Sequence, residues 1–264
     1  MIDLAADLAL IKAAALAGGA LAEAERDRGL KITHKDGGSP VTNADIAVDT
    51  MLKDRLLAAR PDYGWLSEET ADTSDRQSRR RLFVVDPIDG TVAFLKNQPW
   101  WCVPIAAVED GRPVAAVIHV PATGETYEAT LGGGARLNGR RITASDVDAL
   151  DDAAVLADAR LMEGPHWPEP WPPMRYEKRN ALAYRMALVA SGAFDAAIAL
   201  TPKWDWDVCA GALIAGEAGA TGSDHHGRPW RFNRPDPRQA SRVCAAPALH
   251  PLILRRTAPI PLAT

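Results

Sequence analysis

Residues 82–91 read LFVVDPIDGT, a short apolar run followed at once by two carboxylates on a proline-containing turn. Four consecutive apolar residues predict a β-strand that is covered on both faces. Asp86 is the first residue beyond that strand, at the place where α/β folds tend to hold ligands. Because Pro87 fixes its own φ and excludes helix, Asp86 and Asp89 lie on a stiff turn and can converge on one point. The stretch therefore predicts a buried strand that ends in a ligand site.

The oxygen atoms of this turn favour a hard cation. The carboxylates of Asp86 and Asp89 and the carbonyl oxygen of Ile88 suit Mg²⁺, Mn²⁺ or Ca²⁺ rather than zinc. Gly90 allows close approach of the backbone to a ligand, and the amides of Gly90 and Thr91 predict a phosphate site. A surface turn without function would have the same letters, so this interpretation requires other acidic residues at the same place.

Three further acidic stretches lie at the edges of apolar segments. Asp45 stands near the start of one predicted helix, Asp207 at the start of another, and Glu68 and Glu69 follow a short apolar run. Each has a plain alternative explanation, as an acidic first turn, a helix N-cap or a solvated loop. Carboxylates held this close to a core need cations to compensate their charge. Together they predict a metal site made of several carboxylates.

The remaining pattern indicates helices and strands in both halves of the chain. Within the strand at 102–108, Pro104 predicts a bulge or an edge position. The basic residues Arg76 and Arg79–Arg81 predict a solvated face before the strand at 82–85. The pair His225-His226 predicts a solvent-exposed turn. An acidic, polar stretch over 146–152 divides the chain into predicted halves 1–148 and 149–264. The predicted helices cover 3–28, 44–59, 180–192 and 207–218, and the predicted strands cover 82–85, 102–108, 114–120 and 125–130.

Composition excludes several classes of protein. The 264 residues are 47% apolar and 24% charged, which argues against disorder, collagen and coiled coil. Thirty basic and 34 acidic residues give a net charge of −4, so no bulk field attracts nucleic acid or an anionic membrane. The N-terminal apolar stretch is interrupted by Lys12 and Gly18-Gly19, which predicts neither a signal peptide nor a membrane span. Three widely spaced cysteines favour a reducing, cytoplasmic compartment.

Four stretches resemble, in type and order, the motifs of the inositol monophosphatase superfamily of Mg²⁺-dependent, lithium-sensitive phosphatases. The resemblance runs from about residue 33 to 222 and so covers most of the chain. The stretches are VTNAD at 41–45, LSEET at 66–70, DPIDGT at 86–91 and WDVCAG at 206–211, the last continued by EAG at 217–219.

The resemblance implies two to three Mg²⁺ ions, or Mn²⁺ in their place, and a role for each acid. Asp45 and Thr91 resemble the pair that holds the attacking water. Glu68 is also implied in catalysis, because it would face a third, weaker metal. Glu69 is implied as a supporting residue beside the metal ligands rather than as a ligand itself. The implied metal ligands are Glu68, Asp86 and the Ile88 carbonyl for the first ion and Asp86, Asp89 and Asp207 for the second, with the Gly90 and Thr91 amides on the phosphate.

The resemblance also implies a fold and an assembly. The expected fold is of the α+β class, a layered α-β-α-β-α sandwich of the inositol monophosphatase and fructose-1,6-bisphosphatase type. The expected partners are a small-molecule phosphate monoester and a second copy in a homodimer.

The substrate is less clearly indicated. Residues 198–202 lack the acid that inositol-specific members carry, and residues 201–207 are similar to bacterial 3′(2′),5′-bisphosphate nucleotidases, which favours hydrolysis of 3′-phosphoadenosine 5′-phosphate to AMP. The candidate substrate contacts are Lys96, Lys203 and Arg185 for a second phosphate, Trp204 for stacking on a base, and Asp205 beside it. Residues 134–139 resemble inositol phosphatases instead. The alternatives are therefore an inositol-1-monophosphatase or a broad sugar-phosphate phosphatase, and a non-catalytic regulatory relative is disfavoured because every catalytic-type acid is present.

Overall fold

Two β-sheets alternate with three layers of helices in the computed structural model, which describes residues 3–35, 37–164 and 167–262. The helices are α1 (Leu4–Arg28), α2 (Asn43–Ala59), α3 (Thr91–Leu95), α4 (Ala159–Met162), α5 (Leu182–Ala190), α6 (Asp205–Glu217) and α7 (Leu249–Thr257). The strands are β1 (Ile32–His34), β2 (Pro40–Thr42), β3 (Gly64–Ser67), β4 (Arg81–Val85), β5 (Val103–Glu109), β6 (Arg112–Val120), β7 (Glu125–Thr130), β8 (Gly134–Leu137), β9 (Arg140–Arg141), β10 (Ala154–Leu156), β11 (Arg175–Glu177), β12 (Ala196–Ala199), β13 (Lys203–Trp204), β14 (Thr221–Ser223), β15 (Arg238–Gln239) and β16 (Arg242–Ala245).

The larger sheet has seven strands in the order β3-β4-β5-β6-β7-β8-β9. β3 and β4 are parallel, and the strands from β4 onward form an antiparallel meander, as the turn residues between the apolar runs predict. The parallel β3–β4 pair matters for function, because it brings the C-terminal ends of both strands to the same edge of the sheet. Glu68 follows β3 and Asp86 follows β4 at that edge.

Pro104 corrects the expectation of an edge strand, because β5 lies between β4 and β6 inside the sheet. The register shift occurs at Ala107/Val108 rather than at the proline. Pro104 is tolerated because it sits beyond the last β4–β5 residue pair, where its carbonyl oxygen accepts a hydrogen bond from the Asp86 amide at 3.2 Å. A missing N–H at the end of a ladder costs no hydrogen bond within it.

The second sheet has five strands in the order β11-β10-β12-β16-β14. β10 runs parallel to β11 and β12, and β16 pairs antiparallel with β12 and β14. Two short antiparallel pairs, β1–β2 and β13–β15, stand apart from both sheets. β1 and β2 are joined by a short loop that precedes α2.

Alternation of side chains along each strand divides the interior into three apolar cores. Phe83 and Val85 of β4 face α1 and α2, while Leu82 and Val84 face α5 and α6. On β16, Cys244 points toward α5 and α6, and its neighbours pack toward α7. Because successive side chains alternate across a strand, each sheet is covered on both faces. The layers are α1/α2, seven-stranded sheet, α5/α6, five-stranded sheet and α7, which confirms the expected layered sandwich.

The helix α1 is long and apolar enough by composition to cross a membrane. In the fold it packs against α2 and the larger sheet: a Cβ added at Gly18 would lie 3.3 Å from Val48 and 3.4 Å from Val103. Asp7 on α1 accepts hydrogen bonds from Arg60 at 2.8 Å and Tyr63 at 2.7 Å. These polar ties and the glycine contact are those of a helix packed on the rest of the domain.

Two further expectations are wrong in detail. Arg76 is not part of a solvated face: it is 2% exposed and pairs with Asp72 at 2.6 Å, while Arg79 and Arg80 are exposed. His225 is buried against Ser241 rather than exposed, and only His226 faces solvent. In both stretches the charge pattern alone did not show which side chain is buried by the folded chain and which faces solvent.

The division of the chain at residue 148 stays a prediction. All strands of the seven-stranded sheet precede that point and all strands of the five-stranded sheet follow it. The helices α5 and α6, however, belong to the second half of the sequence and pack between the two sheets.

Candidate functional site

The carboxylate of Asp86 is fixed by the turn that follows β4. Its Oδ1 accepts a hydrogen bond from the Ile88 amide at 2.9 Å, and the side chain is 2% exposed. Burial, and then the nearby charges of Glu68 and Asp89, raise the pKa of Asp86 well above its usual range. A cation that binds beside Asp86 therefore stabilises the ionised form of its carboxylate.

Asp89 is held from the opposite side by the N-terminus of α5. Its two carboxylate oxygens accept hydrogen bonds from the amides of Leu182 at 3.1 Å and Ala183 at 2.7 Å. Burial and the neighbouring Asp207 raise the pKa of Asp89 to about 7 despite these donors. The turn after β4 is thereby tied to a helix some ninety positions later in the sequence.

Asp207 is the third residue of α6 and not its N-cap. Its Oδ2 accepts a hydrogen bond from the Trp204 amide at 2.8 Å, as in a capping box. The side chain is 9% exposed, and burial raises its pKa although Arg242 opposes the shift. The carboxylate of Asp207 therefore accepts a capping hydrogen bond at the start of α6 and also faces the other acids.

Three of the predicted metal ligands meet in one place. Oxygen atoms of Asp86, Asp89 and Asp207 all lie within 4.8 Å of one another, and all three residues are buried. This spacing is close to the separation of ligands across one divalent cation, and carboxylate oxygens are the ligands that Mg²⁺ and Ca²⁺ take. The donor set fits a hard divalent cation, since three buried carboxylates repel each other without one. Glu68 and Ile88 line the same cavity.

The hydroxyl of Thr91 lies between two oxygen atoms of the site. Its Oγ1 is 3.2 Å from the Ile88 carbonyl and 3.3 Å from Asp45 Oδ1. Asp45 is 1% exposed, and its other oxygen accepts hydrogen bonds from the amide and hydroxyl of Thr42 at the start of α2. Asp45 is thus the N3 residue of the capping box of α2, whose N-cap is Thr42, and contacts the turn at the same time. The structure brings the predicted Asp45–Thr91 pair into direct contact.

Gly90 occupies a backbone conformation that its neighbours make specific for glycine. Its φ is +94°, and an added Cβ would lie 3.0 Å from the Trp100 carbonyl and 3.1 Å from Ala181. Both Gly90 and Thr91 line the cavity. A glycine is therefore required here by the backbone geometry and by the close packing of Trp100 and Ala181.

Lys35 joins the two glutamates that follow β3. Its Nζ lies 2.8 Å from Glu68 and 2.7 Å from Glu69. Burial raises the pKa of Glu69 to about 7 in spite of this lysine. Glu69 therefore holds Lys35, and through it Glu68, at the edge of the site, which fits the predicted supporting position. The sequence analysis missed Lys35, and its only signal was a charge within a Gly- and Ser-rich stretch.

The raised pKa values predict how the stability of the metal-free protein depends on pH. Asp89 and Glu69 have folded pKa values of about 7, above the usual range of unfolded carboxyl groups. The folded state then binds more protons than the unfolded state between about pH 4 and pH 7, so the free energy of unfolding falls as pH rises through that window. We expect a higher Tm at pH 5 than at pH 8 in a chelator, and a smaller difference, or the reverse order, with Mg²⁺. A Tm in chelator that rises from pH 5 to pH 8 contradicts this.

The residues predicted to contact substrate divide into two groups. Lys203 and Arg185 line the cavity that contains the carboxylates, which has a volume of about 820 Å³. The other three are placed elsewhere. Lys96 is exposed at the end of α3, and Trp204 stacks on Trp206 outside the cavity wall. Asp205 is fully buried and accepts hydrogen bonds from Gln239 and the Asn233 amide. The structure thus does not place these three residues on the cavity wall, and their assignment to the substrate stays a prediction.

Arg242 also lines the cavity and was missed. It is 3% exposed at the start of β16, and burial lowers its pKa to about 10. The only sequence signal was a basic residue directly before a short apolar run at 243–246.

Comparison with known proteins gives a family. The family model described as "Inositol monophosphatase family" matches residues 4–261. An inositol-1-monophosphatase of Rhizobium meliloti is 32% identical over 75% of this chain and 77% of its own length, and a 3′(2′),5′-bisphosphate nucleotidase of Aggregatibacter actinomycetemcomitans is 30% identical over 78% and 80%. The structure of an extragenic suppressor protein from Bartonella henselae has a TM-score of 0.80 and 26% identity, with 95% of this chain and 97% of that chain covered. With the carboxylate cluster in the position that the motifs predicted, the chain belongs to the inositol monophosphatase family.

Proposed function

We propose that this protein hydrolyses a small phosphate monoester with Mg²⁺ and a directly attacking water. The observation that carries the proposal is the convergence of Asp86, Asp89 and Asp207 in a cavity that also contains Thr91. Family membership and the phosphatase names of the relatives support the same chemistry.

The reaction needs what this site offers. A phosphate monoester dianion repels hydroxide, and the slow uncatalysed reaction requires a barrier reduction on the order of 20 kcal/mol. Bound Mg²⁺ neutralises the phosphoryl oxygens and lowers the pKa of coordinated water. The chain supplies the carboxylates of Asp86, Asp89, Asp207 and Glu68 and the Ile88 carbonyl as the oxygen atoms that hold the ions in this proposal.

The residues around the metal site orient the reacting groups. The Thr91 hydroxyl is within hydrogen-bond distance of Asp45, so it accepts a hydrogen bond from the attacking water while its own proton points to Asp45 Oδ1. The amides of Gly90 and Thr91 bind phosphate oxygens at the left-handed turn. Glu69 keeps Lys35 beside Glu68 and so keeps that carboxylate in place.

For the substrate we favour a 3′(2′),5′-bisphosphate nucleotide, with 3′-phosphoadenosine 5′-phosphate converted to AMP. Support comes from Lys203 and Arg185 on the cavity wall, from the lack of an acid in residues 198–202, and from the nucleotidase relative. Inositol 1-phosphate is the second candidate, because the Rhizobium meliloti relative carries that name. A purely regulatory role is disfavoured by the convergence of the three buried acids Asp86, Asp89 and Asp207.

The test is a comparison of kcat/KM on 3′-phosphoadenosine 5′-phosphate and inositol 1-phosphate, with Mg²⁺, with Mg²⁺ and Li⁺, and with a chelator. We expect hydrolysis that requires Mg²⁺, is inhibited by Li⁺ and is faster on the nucleotide. A tenfold or greater preference for the inositol ester reverses the order of the two substrates. No release of phosphate from either ester or from a panel of sugar phosphates contradicts the proposed function.

A further inference from the structure

The cavity has an acidic part and a basic wall. The carboxylates of the proposed metal site lie together in one part of its lining. The lining also carries basic side chains from the second half of the chain, and the lining acid Asp158 is paired with Lys178 at 2.6 Å. These basic residues are Arg160, Lys178, Arg185, Lys203 and Arg242. With about 820 Å³, the cavity is in the range of pockets that enclose a ligand larger than one phosphate group.

Arg242 is the most unusual member of the basic wall. The residue is 3% exposed, and its two terminal nitrogens, Nη1 and Nη2, are buried without a hydrogen-bond partner among the described residues. A buried guanidinium without partners is costly, because it loses its hydration and gains no hydrogen bonds in return. β16 nevertheless carries this arginine at the end that lines the cavity. Such a guanidinium group can donate hydrogen bonds to an anion that enters the cavity.

Arg185 stands beside Arg242 and is held in place. Its guanidinium donates to the carbonyl oxygen of Arg179. Arg185 and Arg242 also line together a small adjoining cavity of about 10 Å³, which has room for about one water molecule. Two guanidinium groups at one place repel each other, and an anion between them removes that repulsion.

We propose that Arg242 and Arg185, with Lys203 at their side, bind a second phosphate group of the substrate, separate from the phosphate that is hydrolysed. The planar guanidinium group matches phosphate oxygens in bidentate geometry. The two positive charges of a pair of guanidinium groups are balanced by a phosphate dianion, whereas a carboxylate carries only one negative charge. The inference rests on the proposed function and extends it, because it assigns the selectivity for a bisphosphate to named residues. Arg242 is then a specificity-determining residue.

Another role for Arg242 makes a different prediction. Its charge lies within electrostatic range of Asp207 and Asp89, so it could act only as a counter-charge to the metal site. A counter-charge affects all substrates equally, because each of them needs the metals. A phosphate subsite affects only those substrates that carry a second phosphate. The two roles are therefore distinguished by matched pairs of substrates.

The first experiment measures kcat/KM for 3′-phosphoadenosine 5′-phosphate against adenosine 3′-phosphate, and for inositol 1,4-bisphosphate against inositol 1-phosphate. We expect the wild type to prefer a bisphosphate by about tenfold or more in at least one pair, since hydrogen bonds to charged groups are among the stronger ones. Arg242→Met and Arg185→Met are expected to remove that preference and to change the monophosphate rate by less than about threefold. Equal rates within both pairs in the wild type, or an equal loss on both members in the variants, overturn the inference while the proposed function stands.

The second experiment needs no turnover. In a chelator, without divalent cations, we expect inorganic phosphate to bind the wild type, and to bind Arg242→Met and Arg185→Met at least about tenfold more weakly by calorimetry. Arg136→Met is the matched control, because Arg136 is exposed on β8 and is not part of the cavity wall. Phosphate affinity that is the same in wild type and in both cavity variants overturns the inference even if no ester is hydrolysed. Circular dichroism and Tm confirm that each variant is folded. If Arg242→Met does not fold, the result for Arg185→Met decides whether the inference holds.

Discussion

Replacing Asp207 with asparagine is expected to lower kcat/KM by on the order of 10³-fold or more, since a metal centre contributes several kcal/mol to the transition state and each 1.36 kcal/mol is tenfold in rate. Asparagine keeps an oxygen that can accept the hydrogen bond from the Trp204 amide, so the start of α6 is retained. It removes one negative charge from three carboxylates whose oxygens lie within 4.8 Å of one another. Phosphate release with Mg²⁺ and the Tm in a chelator are the measurements.

The neighbouring Asp205 is a control on the same helix and of the same residue type. Asp205 is fully buried and binds the Gln239 side chain and the Asn233 amide, away from the cavity wall. We expect Asp205→Asn to lower the Tm and to keep kcat/KM within about threefold, because one of its hydrogen bonds is lost at about 1 kcal/mol. Asp207→Asn is expected to do the opposite, with lost activity and an unchanged or higher Tm in the chelator. If Asp207→Asn keeps its activity, the proposed carboxylate site is wrong.

The contrast between these two aspartates shows what the sequence could predict. Asp207 was recognised because its motif matches a family pattern, whereas Asp205 was assigned to the substrate because residues 201–207 are similar to bisphosphate nucleotidases. Side chains two apart on a helix point in different directions, so the two acids need not face the same site. The structure separates them by the hydrogen bonds each accepts. The motif therefore located Asp207, and only packing showed that Asp205 lies away from the cavity wall.

The layered fold was predicted from the family resemblance, whereas individual strands were predictable from the apolar pattern alone. The strand at 82–85 and the meander after it follow from short apolar runs and their turns, and the observed strands agree within a few residues. The central position of β5 was not predictable from Pro104, because a proline also fits beyond the end of a strand ladder. Register and strand order depend on distant partners, which a local pattern does not contain.

The acids of the site were predictable, whereas of the basic wall only Lys203 and Arg185 were named from the sequence. The acids stand in short motifs directly after strands or at helix starts, where a carboxylate is conspicuous. Arg242 lies at the start of a buried strand and reaches the cavity only because β16 pairs between β12 and β14. Its partner Arg185 comes from α5, more than fifty positions earlier in the sequence. No spacing rule relates the two, so their proximity is a property of the fold.

Replacing Thr91 with valine is expected to lower kcat by about 10²- to 10⁴-fold, the usual contribution of a positioned acid–base group, with little change in KM. Valine has nearly the same shape and removes only the hydroxyl that lies 3.3 Å from Asp45 and 3.2 Å from the Ile88 carbonyl. The effect should fall on kcat because the hydroxyl is proposed to orient the attacking water, while phosphate binding depends on the main-chain amides and the metal ligands. Initial rates over a range of substrate concentrations, with saturating Mg²⁺, separate kcat from KM.

Thr91→Ser is the matched variant for this prediction, because it keeps the hydroxyl and loses only a methyl group. We expect serine to restore kcat to within about tenfold of the wild type, since its hydroxyl can make the same hydrogen bond to Asp45 with somewhat less rotational restraint. A purely structural role for Thr91 gives another pattern, in which serine and valine lower the Tm and both kinetic constants together. If the valine variant keeps the kcat of the wild type, the water that attacks the phosphorus is oriented by another group, and Asp45 then serves only in the capping box of α2. The serine–valine difference in kcat thus measures the contribution of one hydroxyl on the turn at 86–91, apart from the metal ligands that surround it.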